Sequence, residues 1–179
     1  MAIFEIRESS PNDVAELVRA VEESREHVGK WMGWLTPEYG EKEALQWIEH
    51  TMKARKEGTA HEFLIVESKT GEIAGACGLN WVNKMDAMCN LGYWVRTKYL
   101  GQGAALQATM LLREFGFEKL GLNRLEIVVA EHNEPSRRVA ENSGAVYEGI
   151  REARLRVGEL VYNAHMYALI NPVVTVETE

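Results

Sequence analysis

The order of apolar and polar residues predicts seven strands and several helices. Apolar side chains alternate with polar ones, or run unbroken, in strands, and recur every three or four residues in helices. The strands cover residues 3–7, 62–67, 73–81, 88–95, 124–130, 145–156 and 160–170. Helices are predicted from a start signal at residues 10–13 and over residues 41–57, 104–117 and 135–142. An antiparallel run that meets a strand–helix–strand unit gives a mixed sheet, so the fold class is α+β (mixed α/β).

Two places depart from this pattern. The segment 26–35 carries Trp31 and Trp34 with a glycine between them. These tryptophans either anchor the core or form the wall of a substrate groove, and aromatic residues in a loop-like stretch favour the groove. Asn80 is a polar residue near the end of a predicted apolar strand.

Composition is typical of a globular protein with one domain. The chain has 179 residues, of which 46% are apolar and 26% charged, and we expect one domain over residues 1–179 with a frayed tail at 172–179. No apolar run approaches the roughly 20 residues of a membrane span, and the N-terminus lacks signal-peptide features. We therefore expect a cytoplasmic protein with Cys77 and Cys89 as reduced core thiols. The net charge of −7 argues against direct nucleic-acid binding.

Residues 91–105 combine a strand, a glycine turn and the start of a helix. Gly101 and Gly103 stand in the turn, directly before the helix. The first amides of a helix have no intrahelical partner and attract anions, so the arrangement suits a phosphate group. Two glycines alone more often form only a tight turn. A Rossmann fingerprint does not fit, because it needs a third glycine where Leu106 stands.

Six short motifs follow one another along the chain. They are Leu91-Gly-Tyr-Trp-Val95, Gly101-x-Gly103-x-Ala105, Leu120-Gly-Leu-Asn-Arg124, Asn133-x-x-Ser136, Glu141-Asn-Ser-Gly144 and Glu148-Gly-Ile-Arg151. In these motifs the chain resembles the GNAT superfamily of acetyl-CoA-dependent N-acetyltransferases, and within it the ribosomal-protein N-terminal acetyltransferases of the RimJ/RimL group. The resemblance covers most of the chain and is strongest over residues 75–168. It implies the GNAT fold, a central, mixed and mostly antiparallel seven-stranded sheet flanked by helices.

The resemblance implies acetyl-CoA as co-substrate, no metal, and a role for each matching residue. It implies that Trp94, Val95 and Arg96 bind the pantetheine arm through their backbone and that Asn133 hydrogen-bonds the pantetheine. The amides expected to bind the pyrophosphate are those of Gln102, Gly103, Ala104 and Ala105. Arg138 is expected to reach the phosphates, with Arg137 and Lys98 as alternatives. Without the resemblance, Lys98 and the two arginines would be read as a solvated charged surface. The expected acceptor-binding residues are Trp31, Trp34, Asn80 and Tyr93.

Ser136 is the expected catalytic residue, because it would lie near the thioester sulfur. It can donate a proton or a hydrogen bond to the leaving thiolate, or it can cap its helix, or do both. The chain departs from the family at three positions. Leu100 replaces the Gln or Arg that usually opens the glycine loop, Ala140 stands where some relatives have a tyrosine acid, and Arg154 stands where some have a carboxylate.

The implied reaction is direct attack of an amine on the acetyl thioester in a ternary complex. An α-amine, with a pKa near ~8, needs less help to lose a proton than a lysine, with a pKa near ~10.4. Glu131 and His132 are either proton relays or ordinary loop residues. The expected acceptor is a protein N-terminus, such as that of a ribosomal protein; alternatives are a small amine (polyamine, antibiotic or amino acid) or a non-catalytic acyl-CoA-binding role. The sequence predicts no membrane partner and leaves a homodimer open.

Overall fold

The computed structural model describes residues 2–175 and residue 177, and its centre is one open sheet of seven strands. The order in the sheet is β1-β2-β3-β4-β5-β7-β6, and β4–β5 is its parallel pair, the others being antiparallel. This confirms the predicted mixed, mostly antiparallel sheet. The strands are β1 Phe4–Arg7, β2 His61–Glu67, β3 Ile73–Asn83, β4 Met88–Val95, β5 Arg124–Ala130, β6 Val146–Val157 and β7 Leu160–Ile170.

Helices cover both faces of the sheet. They are α1 Val14–Glu22, α2 Arg25–Gly29, α3 Glu41–Glu57, α4 Ala104–Glu114 and α5 Glu134–Asn142, and α4 continues as a π-helical turn over Phe115–Lys119. Helix α2 overlaps the first residues of the segment 26–35 but ends at Gly29, so both tryptophans lie outside regular helix. The predicted frayed tail, residues 172–179, reaches residues 176, 178 and 179, which lie outside the described residues.

Strand alternation divides the core into two layers. Phe63, Cys77 and Leu91 belong to the buried cluster on the α4 and α5 side. Leu64 and Ala76 belong to the cluster on the α1 and α3 side, as neighbours in a strand point to opposite faces. Cys77 and Cys89 are free and buried, as predicted for core thiols.

The site is positioned by the divergence of β4 from β5. The two strands pair from Met88 with Arg124 to Asn90 with Glu126, and within the described residues they do not pair beyond that point. On the other side β4 stays in register with β3 up to Val95. The second half of β4 therefore has a free backbone edge that faces a gap.

Arg96 anchors the end of β4 on the side of α1. Arg96 as a whole residue is 6% exposed. Its guanidinium donates to both carboxylate oxygens of Glu23, at 2.7 and 2.5 Å, and to the Ile73 carbonyl at 3.1 Å. His27 Nε2 lies 2.8 Å from the Val95 carbonyl oxygen, and since that oxygen can only accept, the ring nitrogen donates. These contacts hold the end of β4 away from β5.

Replacing Arg96 by Met tests this anchor. The variant loses the charge-assisted hydrogen bonds to Glu23 and leaves the Ile73 carbonyl without its donor, so we expect the free energy of unfolding to fall by about 2–3 kcal/mol. Urea unfolding followed by tryptophan fluorescence measures the change. Arg19→Met is the control, because Arg19 is an exposed arginine of α1. An equally small effect of both substitutions would contradict the anchoring role.

Candidate active site

The glycine turn leaves several backbone amides at the start of α4 without partners. Gly103 is the N-cap, and its φ of +87° is a conformation that side chains rarely adopt. Its carbonyl accepts the Gln107 amide, which closes the first helical turn. Within the described residues, no side chain caps this helix and no acidic residue occupies its first turn. The amides of Ala104 and Ala105 are therefore available to an anion, and their role in phosphate binding stays a prediction.

The charged residues around this turn differ in how strongly they are already paired. Lys98 Nζ lies 2.5 Å from Glu72, and Arg137 pairs with Glu141 at 3.0 Å. Arg138 is exposed, and no salt bridge involves it in the described part of the chain. Of the three cations predicted to reach phosphates, Arg138 is therefore the one that needs to break no ion pair.

The backbone groups of Trp94, Val95 and Arg96, predicted to bind the pantetheine, do not all face the gap. The Arg96 amide donates to the Ala74 carbonyl at 2.8 Å, and the Arg96 carbonyl accepts from Tyr99, so both groups are engaged. The Trp94 carbonyl points at β3, since a Cβ built on Gly75 would lie 2.1 Å from it. Because alternate residues of a strand face opposite neighbours, the Val95 amide faces the gap. Arg96 and Trp94 do not present their backbone there.

Asn133, and not Ser136, caps α5. The Asn133 side-chain oxygen accepts the Ser136 amide at 3.3 Å, so the capping interpretation of Ser136 is wrong. The Ser136 hydroxyl instead lies 3.1 Å from the Tyr93 hydroxyl, and Tyr93 also reaches the Ser136 carbonyl at 3.1 Å. Burial raises the pKa of Tyr93 to about 12, so its phenol keeps its proton at neutral pH. The pair is a potential donor beside the β4–β5 gap.

Tyr93 thus differs in position from the other predicted acceptor residues. Its side chain packs in the layer of α4 and α5, whereas Trp34 and Trp94 lie on the α1 and α3 side with ring centroids 6.2 Å apart. The sequence placed Tyr93 in a motif but gave no sign that Ser136 would be its neighbour. The sequence analysis did not single out His27. Nothing in the local pattern marks its contact with the Val95 carbonyl, 68 positions away.

The tryptophan segment joins α1 and α3 to the β6–β7 turn. Trp31 packs edge-on against Tyr162, with centroids 6.1 Å apart, and a Cβ on Gly33 would lie 3.1 Å from the Gly158 amide nitrogen. Trp34 is 44% exposed, which favours the groove interpretation over the core one. A cavity of about 300 Å³ adjoins it, lined by Leu17, Trp34, Tyr39, Glu43, Gln46 and Trp47.

The remaining predicted residues are held by polar contacts. Asn80 donates to Glu62 at 3.2 Å and accepts from Asn90 at 2.9 Å. Glu131 accepts from the Asn163 side chain at 3.0 Å, and His132 is exposed. Over residues 2–175 and 177, no three His, Cys, Asp or Glu side chains form a metal-ligand set, and none of the helices described there has the length and apolarity to cross a membrane.

Comparison with known proteins identifies the class. The family model for the acetyltransferase (GNAT) domain matches residues 4–146, and the chain belongs to this family of acetyl-CoA-dependent N-acetyltransferases. It is 30% identical, over 80% of each chain, to N-acetyltransferase p20 of Bacillus licheniformis, which is itself uncharacterized.

Two solved structures are similar along nearly the whole chain. One, from Vibrio cholerae, is provisionally assigned as a ribosomal-protein-serine acetyltransferase; it is 28% identical, with a TM-score of 0.81 and 95% and 97% of the two chains covered. The other is RimL, a ribosomal L7/L12 alpha-N-protein acetyltransferase in complex with coenzyme A. It is 21% identical, with a TM-score of 0.86 over 93% of each chain, which shows a shared fold.

Gly103→Ala tests the glycine turn as the phosphate-binding element. An alanine at this φ strains the turn by about 1–2 kcal/mol. The free protein can relieve that strain by shifting the turn amides, so restoring their positions around a phosphate would cost the same amount. We therefore expect acetyl-CoA affinity to fall about 5- to 30-fold, measured by calorimetric titration. Gly121→Ala is the control, since Gly121 also has a positive φ, +64°, with open space around it. It should lose comparable stability and keep its affinity. Equal dissociation constants for the two variants would contradict the assignment.

Ser136→Ala and Tyr93→Phe test the hydroxyl pair. Each should lower kcat by about 10-fold or more, because polar stabilisation of the leaving sulfur is lost, while the Kd for acetyl-CoA changes little. If the two hydroxyls act as a unit, the double variant should be no slower than either single one. Ser143→Ala is the control at the far end of α5, where the hydroxyl donates to the Ala140 carbonyl; it should cost stability only. Unchanged kcat in both test variants would remove Ser136 from the reaction.

Proposed function

We propose that this N-acetyltransferase acetylates the α-amine at the N-terminus of a protein. The observation that carries the proposal is a group of aromatic rings beside the end of β4, on the face that carries Trp94. Partly exposed rings of Trp31 and Trp34 lie between Trp94 and the β6–β7 turn. Rings in such a setting can hold the first residues of an extended chain end.

The chemistry of the site agrees with an α-amine. No buried lysine or metal is needed to activate it, because a terminal amine with a pKa near ~8 is partly neutral at physiological pH. Binding both substrates side by side supplies the orientation that direct attack requires. The Val95 amide would hold the developing oxyanion, and Ser136, with Tyr93 behind it, would stabilise the departing sulfur. The two ribosomal-protein acetyltransferases named above support the same acceptor class.

A small cationic amine is the second candidate. The cavity beside Trp34 is lined by three aromatic rings and by Glu43, a combination that attracts ammonium groups. A small acceptor could be held in this cavity without a peptide chain.

A panel of acceptors distinguishes the two candidates. CoA release from acetyl-CoA is measured with short peptides that begin with Ser or Ala, with the same peptides acetylated beforehand, and with spermidine. We expect free peptides to be modified and blocked peptides to be inert, with the acetyl group located on the α-amine by mass spectrometry. Spermidine as the better substrate by kcat/KM would establish the small-amine function instead.

A further inference from the structure

Glu62, on β2, is a carboxylate that the reaction as described so far does not use. It lies in the α3-facing layer, and within the described residues it takes part in no salt bridge. Its Oε1 accepts from the Asn80 amide at 3.2 Å. Its Oε2 lies where a Cβ of Gly78 would be, 1.9 Å from that position. Glycine at position 78 therefore makes room for this carboxylate on the sheet.

Glu62 stands at one end of a trough that leads to β4. Glu62 pairs in register with Gly78, and Gly78 with Gly92, so no side chain rises from the sheet between the carboxylate and the second half of β4. Adjacent strands are roughly 4.8 Å apart, a separation that one or two water molecules can span.

A row of polar side chains also leads from Glu62 on β2 to β4. Asn80 bonds to Glu62, and Asn90 donates to Asn80 at 2.9 Å. Asn90 is the last residue of β4 that pairs with β5, opposite Glu126. The polar row therefore ends where the two strands part, on the same face as Trp94 and the tryptophan segment.

We propose that Glu62 accepts the proton released by the acceptor amine, through water held in the glycine trough beside Asn80 and Asn90. The proposal needs only the acetyl-transfer reaction of the family and holds for a peptide or a small amine. Glu62 acts through water and positions that water; it does not touch the thioester.

The proton and electron balance is complete. The acceptor arrives as R–NH3+ and gives one proton through water to Glu62, which returns it to solvent. The nitrogen lone pair then forms the C–N bond to the acetyl carbon, and the C–S bond breaks with its electron pair on sulfur. The second proton leaves nitrogen for the thiolate, giving the acetamide, the CoA thiol and one proton in solution.

The surroundings of Glu62 make it a better proton acceptor than an exposed carboxylate. Burial raises its pKa above the usual value, while the hydrogen bond from Asn80 and the charges of His50 and Arg55 on α3 oppose the rise. Since the folded-state pKa is raised, ionised Glu62 lowers stability at pH values above its unfolded pKa of about 4.3. Glu62→Gln should therefore melt at a higher temperature than the native protein at pH 7.

The first test is the pH profile of Glu62→Gln with a Ser-initiated peptide and with spermidine. We expect kcat/KM to fall about 10- to 100-fold at pH 7 and to recover as pH rises towards the pKa of the free amine, where the acceptor loses its proton unaided. Acetyl-CoA affinity should not change. Glu67→Gln is the matched control, a glutamate at the other end of β2 that accepts from Thr70, and its profile should follow the native one.

The second test uses Gly78. An alanine there must displace the Glu62 carboxylate, so Gly78→Ala should reduce kcat/KM at pH 7 as Glu62→Gln does. In a Glu62→Ala background the space is empty, and Gly78→Ala should add no further loss.

Native activity in Glu62→Gln, or a loss that is equal at every pH, would overturn the proposal. If the enzyme acetylates spermidine but not peptides, the proposed acetylation of protein N-termini is wrong. The pH profile with spermidine then still tests whether Glu62 accepts the proton. If no amine is acetylated, the role of Glu62 fails with the transfer itself.

Discussion

The site depends on one constraint: β4 must stay paired with β3 while it parts from β5. A strand that pairs on both edges has no backbone groups to offer, whereas the second half of β4 has a free edge. The cost of unpaired amides is tolerable only where water or a substrate can reach them. Arg96 and His27 hold the strand end from the α1 and α2 side, and Tyr93 contacts α5 across the gap. The gap between β4 and β5 is thus held in place by side-chain contacts on both faces of the sheet.

The two-residue period of β4 places the two groups proposed to handle protons on opposite faces of the sheet. Tyr93 points into the α4 and α5 layer, where it meets Ser136. Asn90 and Trp94 point to the opposite face, towards Glu62 and the tryptophan segment. A group that helps the sulfur leave and a group that receives the amine proton would therefore approach the thioester from different faces. The phenol stays protonated because burial raises the pKa of Tyr93 to about 12, so the two groups hold different protonation states at one pH.

Local patterns were enough to predict the sheet but not the contacts that make the site. The strands and the glycine turn depend on alternation, on capping and on positive-φ positions such as Gly103, which neighbouring residues encode. The partners of Arg96, His27 and Glu62 lie far away along the chain or depend on strand register. Glu62 in particular looks like an ordinary polar end of an apolar strand until the register sets it over Gly78. Ser136 was assigned a possible cap because the pattern cannot tell which polar residue of Asn133-x-x-Ser136 bonds to the other's amide.

The proposed cofactor side consists of backbone amides, whereas the proposed acceptor side consists of side chains. Backbone amides are less sensitive to sequence change than side chains are. Amides at the start of α4 and on the edge of β4 exist whatever the side chains are, so Leu100 in the glycine loop leaves these backbone groups in place. The same fold recurs in RimL at 21% identity. The proposed acceptor side consists of side chains, Trp34, Glu62 and Asn80 among them, whose contacts change with each substitution. Under the proposed function, the choice of amine would depend on the side chains of this half of the site, whereas the role proposed for Glu62 over Gly78 is common to both kinds of acceptor.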